Sequence, residues 1–102
     1  MAANFIISKV GENAKVVELQ GTPGASAARE RGQGFHAVAD KKLNVVAKQT
    51  ANFDRTQGLN VMENLLQGHK DIQAVFAQND EMALGAIEAI KSSGRDIIVV
   101  GF

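Results

Sequence analysis

The sequence contains no cysteine, no tryptophan, no tyrosine and a single proline, Pro23. Without a thiol there can be no disulfide, thiolate metal site, cysteine nucleophile or iron–sulfur cluster. Neither sign of charge predominates. Eleven Lys+Arg stand against eleven Asp+Glu, so the chain lacks the electrostatic footprint of a nucleic-acid binder or of a protein held on anionic lipid. No apolar run approaches the roughly 18 residues that span a bilayer, and residues 1–15 carry neither a basic n-region nor a small-residue cleavage site. The only imidazoles are His36 and His69. Neither has a partner at metal-ligand spacing, so both are expected at surface or boundary positions, and no metal or cofactor is expected.

What remains is a chain of 102 residues, 45% of them hydrophobic, enough for one modest core and one domain. Two hydrophobic periods alternate along it, helical spacing and short β-branched runs, separated by turn residues. Ala2 to Val10 reads as a helix with Phe5, Ile6 and Val10 on one face, stopped by Gly11 and Asn13. A strand from Ala14 to Gln20 follows, then the turn Gly21-Thr22-Pro23-Gly24 and an amphipathic helix from Ser26 to about Lys41. The second strand is Leu43 to Gln49. The third helix runs from about Asp54 to Gly68 with Leu59, Met62, Leu65 and Leu66 inward, and the third strand is Ile72 to Ala77. Asn79 and Asp80 are capping residues for a fourth helix, reaching about Ser92, with Met82, Leu84, Ala86, Ile87 and Ile90 inward. A fourth strand begins near Asp96. This alternation predicts an α/β fold, an open parallel four-stranded sheet in the order 2-1-3-4, with helices on both faces, of the Rossmann or flavodoxin-like kind.

Open parallel sheets bind ligands beyond the carboxyl ends of their strands, where loops and helix N-termini are free. Those ends bring Phe53, Asn79 and Phe102 to one edge. Aromatic rings present flat apolar surfaces to the C–H faces of polyols, and an amide or a guanidinium fork matches vicinal hydroxyls. Arg31, in the second helix, is the candidate for that fork. Each residue also has an ordinary reading: core packing for the Phe rings, a helix cap for Asn79, a solvated charge for Arg31. Gly21 to Ser26 has neither the Walker pattern nor the G-x-G-x-x-G spacing and reads as a tight turn into the helix. Ser26 lacks a nucleophile elbow, and Asp40, Asp54, Asp71, Asp80 and Asp96 are spread over helix ends and turns rather than paired. No catalytic constellation is found, and a non-enzymatic protein is expected.

The segments LQGTPGASAARERGQGF, ANFDR, VFAQNDEMALGAI and IIVVGF, in this order and spacing, resemble the periplasmic ribose-binding proteins of ABC importers over the whole chain. NDEMALGA alone also resembles the sugar-sensing domains of LacI-type repressors. The resemblance implies that residues 1–102 are a single partial domain, part of the C-terminal lobe of a two-lobed receptor and incomplete at both ends. It implies that Arg31, Phe53, Asn79 and Phe102 contact ribose in that lobe, Phe rings stacking on the sugar and Arg and Asn holding hydroxyls. The family pattern continues from GF to a sugar-binding Asp, whereas this chain stops at Phe102. The expected function is therefore a D-ribose half-site of an ABC importer's periplasmic receptor, which also serves chemotaxis. Its partners would be a membrane permease and a chemoreceptor.

The alternative is the effector domain of a LacI-type sugar-responsive transcription regulator, which would carry a DNA-binding headpiece upstream. The final run IIVVGF reads as a buried strand ending without a turn. Its apolar edge predicts self-association of the chain into a dimer or larger species.

Overall fold

The computed structural model describes residues 2–102. The elements are α1 (Ala2–Val10), β1 (Lys15–Gln20), α2 (Ser26–Lys42), β2 (Asn44–Thr50), α3 (Arg55–Gly68), β3 (Ala74–Ala77), α4 (Asp80–Ser93) and β4 (Ile98–Gly101). Every strand pair is parallel, and the sheet order is β2-β1-β3-β4, the order expected from the alternation of periods. Element ends differ from the sequence expectation by one or two residues, as β3 shows by starting at Ala74 rather than Ile72.

Because successive strand residues point to opposite faces, each central strand supplies two cores. Val17 and Leu19 of β1, with Val75 and Ala77 of β3, join α3 and α4. Val16 of β1, with Ala74 and Phe76 of β3, joins α1 and α2. On the second face Phe35 stacks on Phe76, with ring centroids 4.4 Å apart and 13° between the planes. The β1–β2 pairing slips between Val16 and Val17, which pair with Val45 and Ala47. The unpaired Val46 then packs on the same side as its neighbour Ala47, so a bulge keeps β2 covered on that face.

The α3/α4 face owes its closeness to two missing side chains. A Cβ at Gly85 would run into the Arg55 carbonyl and the Leu59 amide, and one at Gly58 would lie 3.0 Å from the Met82 backbone. The two helices therefore meet backbone to backbone through Gly58 and Gly85. This contact turns the small residues of α4 inward and leaves Leu84, expected in the core, 41% exposed. Phe5 is likewise displaced. Ala3 and Ile6 form the buried stripe of α1, and Phe5 stands off it, 47% exposed, beside β4.

Candidate functional site

The carboxyl ends of the four strands meet at one edge, tied by backbone bonds from Ala51 to Gln20 (2.8 Å), from Gln78 to Leu19 (3.1 Å) and from Phe102 to Ala77 (3.2 Å). The loop after β2 is the most strained backbone there. Asn52 and Phe53 have φ of 54° and 58°, the left-handed region that costs a residue with a Cβ about 1 kcal/mol or more. Several bonds hold it. Thr50 Oγ1 donates to the Gly21 carbonyl (2.8 Å), Asn52 Nδ2 to Gln57 Oε1 (2.8 Å), and Asn79 Nδ2 to the Phe53 carbonyl (3.1 Å). The result is that the tip of the Phe53 ring lies on the bare backbone of Gly21, where a Cβ would come within 1.9 Å of the ring's Cζ.

Arg31 reaches this edge from α2. Its Nη1 donates to the Gln78 carbonyl at 2.6 Å. Its guanidinium carbon lies 4.3 Å from the Phe102 ring centroid and 5.8 Å from that of Phe53, which places a cation between two aromatic faces. Phe102 is 67% exposed. Asn79 takes its expected place as the N-cap of α4: Oδ1 accepts from the Met82 amide at 3.0 Å while Nδ2 clamps Phe53. An amide has two donors and two lone pairs, so Asn79 keeps one donor and one acceptor site for another molecule. Asp80 is the first helical residue rather than the cap. Arg31, Phe53, Asn79 and Phe102 are thus brought together, each within reach of at least one other.

Behind this edge lies a polar network that sequence reasoning missed. Glu18 is 0% exposed in the middle of an otherwise apolar strand. Its Oε2 accepts from Gln78 Nε2 at 2.9 Å, and its Oε1 accepts from His36 at 2.7 Å and from Gln20 at 3.3 Å. Gln78, also buried, accepts the Gly21 amide on Oε1 at 2.8 Å. Room for this group comes from Gly32 of α2, where a Cβ would approach Gln78 Nε2 to 3.2 Å. His36 bonds Asp40 with its other ring nitrogen at 2.6 Å. Burial works against a charge on the ring, yet the hydrogen bonds to Asp40 and Glu18 outweigh it and hold the His36 pKa above its ordinary 6.5. A signal was present in the sequence: a lone Glu flanked by Val17 and Leu19 in a central strand demands a partner.

A wide cleft borders the edge rather than coinciding with it. It encloses about 740 Å³ between α1, α2 and β4, and Phe5, Phe35, Phe76, Val100 and Phe102 line it beside Arg31. Such a lining suits an apolar surface better than a polyol, which needs several fixed donors and acceptors. Among the described residues no group of three or more His, Asp or Glu is placed to hold a metal ion. No helix among them is long and apolar enough to cross a membrane.

Comparison with known proteins places this architecture. The profile of the periplasmic binding protein domain matches residues 1–102. The ribose import binding protein of Bacillus subtilis (strain 168) is 74% identical over 102 residues, all of this chain and 33% of that protein. The ribose import binding protein of Salmonella typhimurium is 64% identical over 104 residues, again all of this chain and 35% of that protein. An ABC transporter solute binding protein from Bacillus halodurans, solved with bound myo-inositol, superposes with a TM-score of 0.92 at 36% identity, covering 97% of this chain and 36% of that one. The chain therefore spans about a third of the length of the curated relatives it matches. It belongs to the periplasmic binding protein domain family.

Proposed function

We propose that this chain forms one wall of a monosaccharide site, with D-ribose as the ligand, in the C-terminal lobe of a two-lobed solute receptor. The observation that carries the reading is the cluster at the carboxyl edge. The Phe53 and Phe102 rings flank the Arg31 guanidinium, and Asn79 keeps a free donor and acceptor beside them. Rings take the apolar face of a sugar, while guanidinium and amide take its hydroxyls. The names of the relatives support ribose and an import role, and support a receptor over a transcription regulator.

The mechanism that follows is binding without chemistry. A sugar landing on this edge from an open form gains further contacts from a second lobe, and the closed state is what a membrane permease, or a chemoreceptor, recognises. Periplasmic residence follows from the same reading. A half-site keeping about half the free energy of a micromolar site, roughly −4 of −8 kcal/mol, binds near millimolar. The isolated chain also presents an apolar cleft and the open edge of β4, with Phe5 and Phe102 exposed. A second copy of the chain covers that surface in this reading, and sedimentation showing a monomer at tens of micromolar contradicts it.

The sugar reading is tested by titrating the chain with ribose in two-dimensional NMR, with glucose and phosphate as controls. Saturable shifts at Arg31, Phe53, Asn79 and Phe102 with ribose alone are expected. Equal shifts with all three solutes, or shifts confined to the cleft beside α1, contradict it.

A further inference from the structure

The His36 ring lies between two carboxylates, 2.7 Å from Glu18 Oε1 and 2.6 Å from Asp40 Oδ1. An ionised carboxylate only accepts, and a neutral imidazole has one donor and one acceptor nitrogen. Both contacts are satisfied together only when both ring nitrogens carry protons. Glu18 in turn accepts on both oxygens, with no water-exposed surface to fall back on. The charge of His36 is therefore the nearest compensation for a carboxylate buried in the sheet, and loss of that charge leaves Glu18 with neutral donors alone.

The network leads directly to the sugar-facing edge. Glu18 orients the Gln78 amide, and Gln78 holds the Gly21 amide. Gly21 is the surface on which Phe53 rests, and the backbone carbonyl of the same Gln78 receives Arg31. We propose that His36, Glu18 and Gln78 are positioning residues for the sugar-facing edge. In this arrangement protonated His36 fixes Glu18 and Gln78, and these fix Gly21, Phe53 and Arg31 in the geometry that receives a ligand. The proposal rests on the sugar reading for its ligand but not for its coupling.

The charged groups around His36 are Glu18 from β1, Asp40 on its own helix, and Lys48 of β2 and Arg29 of α2, which line the clefts that the ring borders. The two cations oppose the ring's charge, whereas the two carboxylates bond it directly. The raised pKa of His36 agrees with the carboxylates prevailing. A titrating ring at this position weakens the edge as pH rises, by a local rearrangement and not by unfolding.

The test is an NMR pH titration of the chain, read at the His36 ring, the Gly21 amide, the Gln78 side-chain amide and the Phe53 ring. All four are expected to share one midpoint above about 6.5, and ribose affinity, where it is measurable, is expected to fall about five-fold or more across that midpoint. In His36→Gln the other three signals should lose that transition, and ribose affinity should become flat with pH. Should His36→Gln fail to fold, Asp40→Asn decides, since it removes an exposed acceptor and should move the shared midpoint downward at every site. A His36 transition that Gly21, Gln78 and Phe53 do not follow overturns the proposal. So does a transition that persists unchanged in His36→Gln or, at those three sites, in Asp40→Asn. A shared midpoint without any ribose binding leaves the coupling standing and removes the sugar reading instead.

Discussion

The two faces of the sheet are built on different principles. On the α3/α4 face every buried side chain from Val17 through Ile90 is apolar, and the helices approach until Gly58 and Gly85 nearly touch the neighbouring backbone. On the α1/α2 face the same strand that buries Val16 also buries Glu18, and Phe5 and Phe102 remain exposed. Tight apolar packing secures a fold, and the groups free to meet a ligand on that side are confined to its rim, at Phe53 and Asn79. A buried charge is unfavourable on its own and is tolerated here because His36 and Gln78 bond both of its oxygens, in a network that ends at the proposed sugar edge. Apolar packing and the buried polar network are thus separated across one sheet, and both depend on β1, whose alternate residues serve one face each.

Substitutions that break this division are expected to differ in kind as well as size. The largest effect is expected from Glu18→Ala, which leaves the buried Gln78 amide without its acceptor and His36 with Asp40 alone, and should cost about 3 to 5 kcal/mol in chemical denaturation. Gly85→Ala attacks the other face. Its Cβ meets the Arg55 carbonyl and the Leu59 amide, which cannot yield as a flexible side chain would, and the unfolding free energy should drop by about 3 kcal/mol. Ribose-induced NMR shifts should survive that change if the chain remains folded.

Gly21→Ala reverses the pattern. The added methyl displaces the half-buried Phe53 ring, so stability should fall by only about 1 kcal/mol, while ribose affinity should fall about ten-fold. Equal affinity in Gly21→Ala and the unaltered chain would show that the ring's seat plays no part in binding. The smallest effect is pH-linked. His36 has a folded-state pKa raised above 6.5 by its two carboxylate partners. Its stabilisation is therefore complete below about 6.5 and is lost as pH rises through the folded value. Thermal unfolding measured across that window should show Tm declining in the unaltered chain, and declining less in His36→Gln.

Much of the fold was legible because it rests on period and punctuation. Runs such as KVVELQ and AVFA separated by helices of ordinary length permit few arrangements, and right-handed crossovers reduce these to the observed order. Arg31, Phe53, Asn79 and Phe102 could be placed at one edge because each follows a strand or lies in the helix beside one. Positions decided by helix rotation were not legible in the same way. Leu84 lies outside because Gly85 draws α4 against α3, a contact between residues some thirty positions apart that no local pattern encodes. The Glu18–His36–Gln78 group was missed for a related reason. Its members lie 18 and 60 residues apart, and each alone reads as an ordinary surface residue. Only the isolation of Glu18 among valines and a leucine marked it as exceptional.

The central claim is that the carboxyl edge of the sheet, where Arg31 from the α1/α2 side meets Phe53 and Asn79 from the α3/α4 side, is a sugar half-site organised around the Arg31 guanidinium. Its most direct test is the ribose dissociation constant of the chain measured by NMR side by side with that of Arg31→Ala. The account predicts saturable binding near the millimolar range and a loss of about ten-fold or more on removing the guanidinium, in keeping with a charged hydrogen bond of about 1.5 to 3 kcal/mol. Equal affinity in the two proteins, with the fold intact in both, would contradict it.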